Sequence, residues 1–400
     1  MIQVAVLGYG TVGSGVIEVI KTNQELINQK SGCEIKVKYV LDLREFPGDP
    51  VQDILVHDYK TILEDSEVAI VCEAMGGEHP AYEFSKQALE AGKSVCTSNK
   101  EVVEKHGAEL IQIAKEHNCN YMFEASVGGG IPIIRPMNTS LAQEHITSIT
   151  GILNGTTNYI LTKMEKEGSD FSEVLKEAQD MGYAERNPEA DIEGHDAARK
   201  IAILSSLAFG RNVNIEDIYT EGITKISTTD FKYAKLMGAT IKLFGSSMEK
   251  NGRYYACVAP FMVFPTNPLF AVSDVFNGIL VHGNTLDDTM YYGRGAGKLP
   301  TASAIVSDVI DCAKHVGKHV VVYWQPEKLA LSNMDEVERR FFVRVAAMDR
   351  SEIAKVFGKV NFIDANIEGE CGFVTDLMTE KQFKDCEAAS GQIISRIRLS

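Results

Sequence analysis

The stretch Met1-Ile2-Gln3-Val4-Ala5-Val6-Leu7-Gly8-Tyr9-Gly10-Thr11-Val12-Gly13 decides the fold of the N-terminal part of this chain. Its apolar first half reads as a buried strand, and Val16, Ile17, Val19 and Ile20 beyond it read as the apolar face of a helix. Between them, Gly8 permits a tight turn, Gly10 lets a backbone approach a pyrophosphate and Gly13 allows close helix–strand packing. The start of the helix, at Thr11 and Val12, offers unpaired amide N–H groups and a positive dipole end to phosphate. Strand, glycine turn and helix in this order are the pattern of a nicotinamide-dinucleotide fold. Further strands are expected at Ile35–Leu41, Val68–Cys72, Ser94–Thr97 and Asn120–Phe123, with helices at Ala81–Ala91 and Lys100–Glu116. Such alternation predicts an α/β fold with a Rossmann-type doubly wound parallel sheet.

Cofactor choice stays open at this level. An acidic group after the second strand suits a free ribose 2′-hydroxyl, a nearby arginine suits a 2′-phosphate, and the sequence supplies both, Asp42 and Arg44. Either NAD or NADP is compatible with that pair.

Composition bounds the rest. Four hundred residues exceed what one core usually organises, so two or three domains are expected. A formal net charge of −15 repels nucleic acid and anionic lipid, although it leaves room for a small anionic ligand with local donors. The eight cysteines are widely spaced with no C-x-x-C pair, and no secretory leader or membrane span is read, so a cytoplasmic protein with reduced thiols is expected. Cys72 and Cys96 are taken as core thiols, not nucleophiles. His195 is isolated and His315 with His319 lacks a third ligand in sequence, which disfavours zinc. From about residue 135 the texture changes to longer helical runs with strand-like segments at Ile146–Leu153, Arg253–Val263 and Asn277–Val281. After Trp324-Gln325-Pro326, about 75 residues read strand, helix, strand, strand, helix, strand.

The segment 182–210 concentrates the chemistry. Gly182-Tyr183-Ala184-Glu185 is followed by Asp191 and by Gly194-His195-Asp196-Ala197-Ala198-Arg199-Lys200. Asp196 and Lys200 are four apart and share one face of an otherwise apolar helix. Burial would lower the lysine's pKa and make it a usable proton donor, whereas Asp196 would raise it; the sequence does not decide between them. A solvated helix pair has the same spacing.

These residues closely resemble the signature of homoserine dehydrogenases. The glycine turn Gly8–Gly15, Thr97-Ser98-Asn99-Lys100, Glu124–Pro132, Gly151–Tyr159 and Tyr292–Ser303 are similar to family segments in the same order, over roughly residues 1–320. The resemblance implies reversible NAD(P)-dependent interconversion of L-aspartate 4-semialdehyde and L-homoserine, on the way to threonine, methionine and isoleucine. It implies Lys200 as acid–base residue and Lys100 as a second cation at the reacting oxygen. It assigns the substrate to Glu185, Asp191, Asp196, Gly155 and Thr156. To the cofactor, besides the glycine turn, it assigns Thr97, Lys100, Gly182 and Gly297. It further implies a sodium ion on Glu124, Val127, Gly129 and Ile131, and a homodimer or homotetramer. The expected organisation is a dinucleotide-binding domain at 1–134 completed by a helix near 300–320, an α+β substrate and dimerisation domain at 135–300, and a C-terminal α+β domain at 327–400. The last of these looks like an ACT regulatory domain. Where such domains have Asp-x-Pro-Gly, this chain has Asp349-Arg350-Ser351-Glu352, so threonine as an effector and plain oligomerisation both remain open. A nicotinamide-binding regulator without catalysis, or a dehydrogenase of another small amino-acid substrate, would share the glycine turn.

Overall fold

Strand β1 (Ile2–Leu7) buries its last four residues and enters the glycine turn, after which the helix Thr11–Thr22 runs back along the sheet. With β2 (Ile35–Leu41), β3 (Leu55–Val56), β4 (Val68–Glu73), β5 (Ser94–Thr97) and β6 (Tyr121–Met122) it forms a six-stranded sheet in the order β3-β2-β1-β4-β5-β6. Every pairing in it is parallel. The chain winds one way from β1 and the other way from β4. The strand order therefore reverses between these two, and the crevice beyond their C-terminal ends is where such a sheet takes a ligand.

The computed structural model describes residues 1–346, 348–391 and 393–400. Two units can be distinguished: Met1–His145 with Ala202–Asn214 and Gly293–Leu329, and Ile146–Ile201 with Ile215–Tyr292 and Ala330–Ser400. In the first, the helix Lys298–Lys314 packs on Thr11–Thr22 so closely that a Cβ on Gly15 would lie 2.9 Å from that of Ala302. Ala302, Ile305, Val306 and Val309 join Val4, Val6, Val16 and Ile20 in one apolar core.

The second unit is built on a ten-stranded sheet. Its main path uses β7 (Ile146–Ile152), β8 (Thr240–Lys250), β9 (Arg253–Val263), β10 (Phe276–Gly283), β11 (Asp287–Arg294), β12 (Phe341–Ala346), β13 (Val360–Ile363), β14 (Glu370–Thr375) and β15 (Ile393–Leu399). The order is β11-β10-β7-β8-β9-β15-β12-β14-β13. Asn251 and Gly252 both have positive φ and turn β8 into β9, a two-residue hairpin loop whose twist matches the strands.

The C-terminal segment folds as strand, helix, strand, strand, helix, strand, with Phe341, Val343, Val345, Ile353, Phe357, Phe373 and Phe383 as its core. It does not stand apart from the sheet, because β15 pairs parallel with β9 at Phe261–Arg398 and Met262–Leu399. Among the described residues no helix is long and apolar enough to cross a membrane.

Candidate active site

In the first unit the glycine turn is shaped by its neighbours. A Cβ on Gly13 would sit 1.8 Å from the Gly8 carbonyl oxygen, so only glycine allows the helix to come this close to the strand's end. Gly10 differs: a Cβ there would meet nothing within 4 Å, and its small size serves no contact inside the protein. Gly10 precedes Thr11 and Val12 without any side-chain cap on the helix, which leaves its first N–H groups to a ligand. Gly8, Gly10, Asp42, Leu43, Arg44, His57, Ala74, Met75 and Gly76 line a groove of ≈ 550 Å³ at the reversal point.

Asp42 and Arg44, which the sequence leaves in competition, are bonded to each other. Asp42 Oδ2 accepts from the Tyr9 N–H at 2.8 Å, and Oδ1 accepts from the Arg44 N–H at 3.0 Å and from Arg44 Nε at 2.9 Å. The Arg44 guanidinium holds the Asp42 carboxyl well below the usual carboxylate range. Asp42 and Arg44 thus hold each other and the turn, Arg44 Nη2 donating to Asp42 Oδ2 at 2.9 Å and to the Tyr9 carbonyl at 3.2 Å, and of the two side chains the arginine is the exposed one, 61% against 9%, at the groove.

Glu73, at the end of β4, is not among the residues that the sequence singles out. It is fully buried, and its carboxylate accepts from Thr97 Oγ1 at 2.6 Å and from the Met75 N–H at 2.8 Å. Burial pushes its carboxyl up, against the pull of those bonds. Thr97 Oγ1 also accepts from the Asn99 N–H, and Asn99 Nδ2 donates to the Gly77 carbonyl. One carboxylate therefore ties the groove loop 75–77 to the turn from which the Asn99 cap launches the helix Lys100–Glu116. Thr97 acts inside this tie through its hydroxyl. Glu73→Gln keeps the volume but removes one acceptor, and roughly tenfold weaker cofactor binding is expected, about 1.4 kcal/mol. Equilibrium titration of each reduced nicotinamide coenzyme, followed by nicotinamide fluorescence, checks it; unchanged affinity in a folded variant removes Glu73 from the site.

The second unit gathers the other residues around Asn154. Its Oδ1 caps the helix Gly155–Glu167 by accepting from the Thr157 N–H at 2.9 Å, while Nδ2 donates to Asp191 Oδ1 at 2.7 Å and to Asp196 Oδ2 at 2.9 Å. Lys200 Nζ donates to the same Asp196 oxygen and to the Leu153 carbonyl, each at 2.7 Å. The Lys200 side chain is only 9% exposed, so this i,i+4 pair is buried and not the solvated alternative. Asn154 is the hub that sequence reasoning missed; its cap pattern, Asn154-x-x-Thr157, was the available signal. Gly155 opens the helix where a Cβ would come 2.9 Å from the Val275 carbonyl oxygen. Thr156 Oγ1 donates to the Tyr183 carbonyl and so fastens the turn after Gly182. Gly182 itself is exposed with φ +73°. Glu185 lies exposed on the same turn, outside the Asn154 cluster.

Comparison with known proteins matches residues 132–310 to the homoserine dehydrogenase family and residues 8–124 to the homoserine dehydrogenase NAD-binding domain. The homoserine dehydrogenase of Bacillus subtilis (strain 168) is 40% identical over 369 residues, 90% of this chain and 85% of the relative. The chain belongs to the homoserine dehydrogenase family. The crystal structure of a homoserine dehydrogenase from Thiobacillus denitrificans superposes with a TM-score of 0.91 at 34% identity, over 100% of this chain and 98% of that one. A hyperthermophilic archaeal homoserine dehydrogenase in complex with NADPH is matched over 78% of this chain and 97% of its own, with 27% identity and a TM-score of 0.67. The protein is accordingly an oxidoreductase, a homoserine dehydrogenase, with an NAD(P)-binding domain.

The remaining family segment lies within the first unit. Glu124 is buried and its carboxylate accepts from the N–H groups of Ile133, Ile134 and Arg135 at 2.6, 2.8 and 2.7 Å. Among the described residues no N–H donates to the carbonyls of Val127, Gly129 and Ile131. Gly129, at φ +55°, packs where a Cβ would come 2.5 Å from the Gly295 carbonyl carbon, next to Gly297, which precedes the helix Lys298–Lys314.

Proposed function

We propose that Lys200 is the acid–base residue of this homoserine dehydrogenase. The observation that carries this reading is the buried ammonium held between Asp196 and the Leu153 carbonyl. When an aldehyde is reduced, negative charge develops on its oxygen, and a fixed ammonium in a dry site stabilises that charge and then delivers a proton. In the reverse direction the lysine accepts the proton of the alcohol. Asp196 holds the ammonium in place, and Asn154 locks Asp196 and Asp191 together. Asp191, with Glu185 on the neighbouring turn, binds the positive amine of the amino-acid substrate, while Gly155 and Thr156 meet it through the start of their helix. Lys100 is a second cation of the reaction. The bound nicotinamide supplies the hydride.

The coenzyme is NADPH, on the strength of Arg44 being the exposed member of the pair at the groove while Asp42 accepts from the Tyr9 N–H. Turnover of aspartate 4-semialdehyde with each reduced coenzyme tests both statements when run on the wild type, on Arg44→Ala for the coenzyme and on Lys200→Met for the acid–base residue. Arg44→Ala is expected to raise the KM for NADPH roughly 10- to 100-fold through loss of a charge-assisted contact to a phosphate, about 1.4–2.8 kcal/mol, and to leave the KM for NADH within a factor of about two. Equal effects on both coenzymes overturn the choice; near-wild-type turnover in Lys200→Met overturns the acid–base reading.

The carbonyls of Val127, Gly129 and Ile131 are hard oxygen donors without N–H partners among the described residues, a set that suits sodium, with Glu124 adding charge while it caps residues 133–135. The strand order β15-β12-β14-β13 and the two helices of the C-terminal segment support an ACT-like module. The free thiols suit a reducing, cytoplasmic location, and membership of the homoserine dehydrogenase family supports a place in threonine, methionine and isoleucine synthesis and a homodimer or homotetramer.

A further inference from the structure

We propose that the C-terminal strand clamps the substrate-binding turn through Arg396, Arg398 and Glu221, which makes Glu221 a positioning residue for Asp191. The inference rests on the reading of Asp191 as a substrate ligand.

The clamp is a closed set of charge-assisted bonds inside the second unit. Arg398, 1% exposed, grips Glu380 with two bonds, Nε to Oε1 at 2.6 Å and Nη2 to Oε2 at 3.1 Å, and reaches Glu221 Oε2 from Nη1 at 2.8 Å. Arg396 donates to the same Glu221 oxygen at 2.7 Å, and Tyr219 Oη donates to it at 3.0 Å. Burial works against the charge of Glu221, but the two guanidinium groups hold its carboxyl below the usual range. Arg398 forked onto the buried Glu380, with Arg396 and Arg398 meeting on the half-buried Glu221, is a geometric device, because breaking one member leaves a desolvated charge uncompensated.

Immediately beyond Glu221 the chain packs on the turn before the Lys200 helix. A Cβ on Gly222 would lie 2.2 Å from the Ile192 carbonyl oxygen and 2.5 Å from Glu193 Cα, and the Ile223 N–H donates to the Ile192 carbonyl at 2.8 Å. Gly194 in turn is pressed against Thr220 and Val258. Residues 220–223 are therefore laid against residues 192–194 with no space for slip. That turn carries Asp191 immediately before it and begins the helix His195–Phe209 immediately after. Both residues have an anchor, Asp191 at Asn154 and Lys200 at the Leu153 carbonyl, but Asp191 adjoins the clamped turn whereas Lys200 lies six residues past Gly194, more than a helical turn away. A slackened clamp should thus move Asp191 more than the lysine, and weaken substrate binding more than the chemical step.

The test is steady-state kinetics of homoserine oxidation by the full chain, with Glu221→Gln, Arg396→Met, Arg396→Lys and Asp191→Asn assayed together and thermal melts confirming that each is folded at the assay temperature. The expected result is a KM for homoserine raised about tenfold in Glu221→Gln and Arg396→Met, a KM for NADP⁺ unchanged, kcat changed by less than about threefold, and recovery toward wild type in Arg396→Lys. A folded Glu221→Gln or Arg396→Met with wild-type KM for homoserine overturns the clamp, as does an equal rise in both KM values, which a general loosening of the fold would give. Should Glu221→Gln fail to fold, the more peripheral Arg396 pair decides alone. If Asp191→Asn leaves the homoserine KM unchanged, it is the assignment of Asp191 that fails, whatever the clamp variants do.

Discussion

Lys200→Met is expected to lower kcat by about a thousandfold, close to 4 kcal/mol of transition-state stabilisation, while NADPH still binds with wild-type affinity. Methionine fills nearly the same buried volume, so the helix His195–Phe209 should keep its packing. Asp196 keeps the Asn154 Nδ2 bond but loses its buried charge partner, so a lower melting temperature is expected as well, and kcat is read at a temperature where the variant is folded. In a folded variant, the proposed acid–base role places the loss of rate on the missing group that would steady and protonate the developing alkoxide. Lys200→Arg sharpens the point: it retains the charge but cannot give up its proton near neutrality, so a proton-transfer role predicts collapse in both variants, and a purely electrostatic role predicts that arginine retains much of the rate. Pre-steady-state reduction of aspartate 4-semialdehyde, with cofactor binding followed by fluorescence in parallel, separates these outcomes. A kcat within tenfold of wild type in Lys200→Met would remove the lysine from the chemical step.

Why that lysine was legible in the sequence, and its hub was not, is a matter of range. Asp196 and Lys200 meet through four-residue spacing on one helix, which periodicity reveals. Asn154 reaches Asp191 and Asp196 across 37 and 42 residues, and only tertiary folding puts a helix cap beside them. The glycine turn was readable for the same local reason as the lysine. The bonds that hold Asp42 and Arg44 were not readable, because one partner of Asp42 is the Tyr9 N–H, 33 residues away. Glu73 closes the apolar run Val68–Glu73 and looks like a strand's polar end; its burial depends on Thr97 from the adjacent strand. Strand β8 escaped because Gly245-Ser246-Ser247 interrupts its apolar pattern, yet Gly245 is small for a reason: a Cβ there would lie 2.8 Å from Leu153 Cδ1. Strand β11 is largely polar and exposed, which leaves little alternation to read. The pairing of β15 with β9 involves two residue pairs between segments more than a hundred positions apart, beyond the reach of any local pattern.

Two glycines in one turn make the cofactor half of the site testable by contrast. Gly13→Ala is expected to destabilise the first unit by about 3 kcal/mol or more and to weaken NADPH binding at least a hundredfold. The new Cβ would fall 1.8 Å from the Gly8 carbonyl oxygen and 3.3 Å from Val6 Cγ1; neither the strand nor the helix can yield that distance without breaking the packing of Val4, Val6 and Val16. Gly10→Ala should behave in the opposite way toward folding. Its φ of −85° suits any residue and its Cβ would meet nothing within 4 Å, so the melting temperature should stay within about 2 °C of wild type. Yet the space that methyl group enters lies over the uncapped helix start, the place at which the glycine-turn reading puts the pyrophosphate close to the backbone. Cofactor affinity should therefore fall by an order of magnitude or more in a protein that is otherwise intact. Thermal melts with and without NADPH measure both quantities at once, since at a fixed ligand concentration the rise in melting temperature grows with the logarithm of the affinity. If Gly10→Ala is stabilised by NADPH as strongly as the wild type is, the ligand does not lie over Gly10, and the openness at that position needs another occupant.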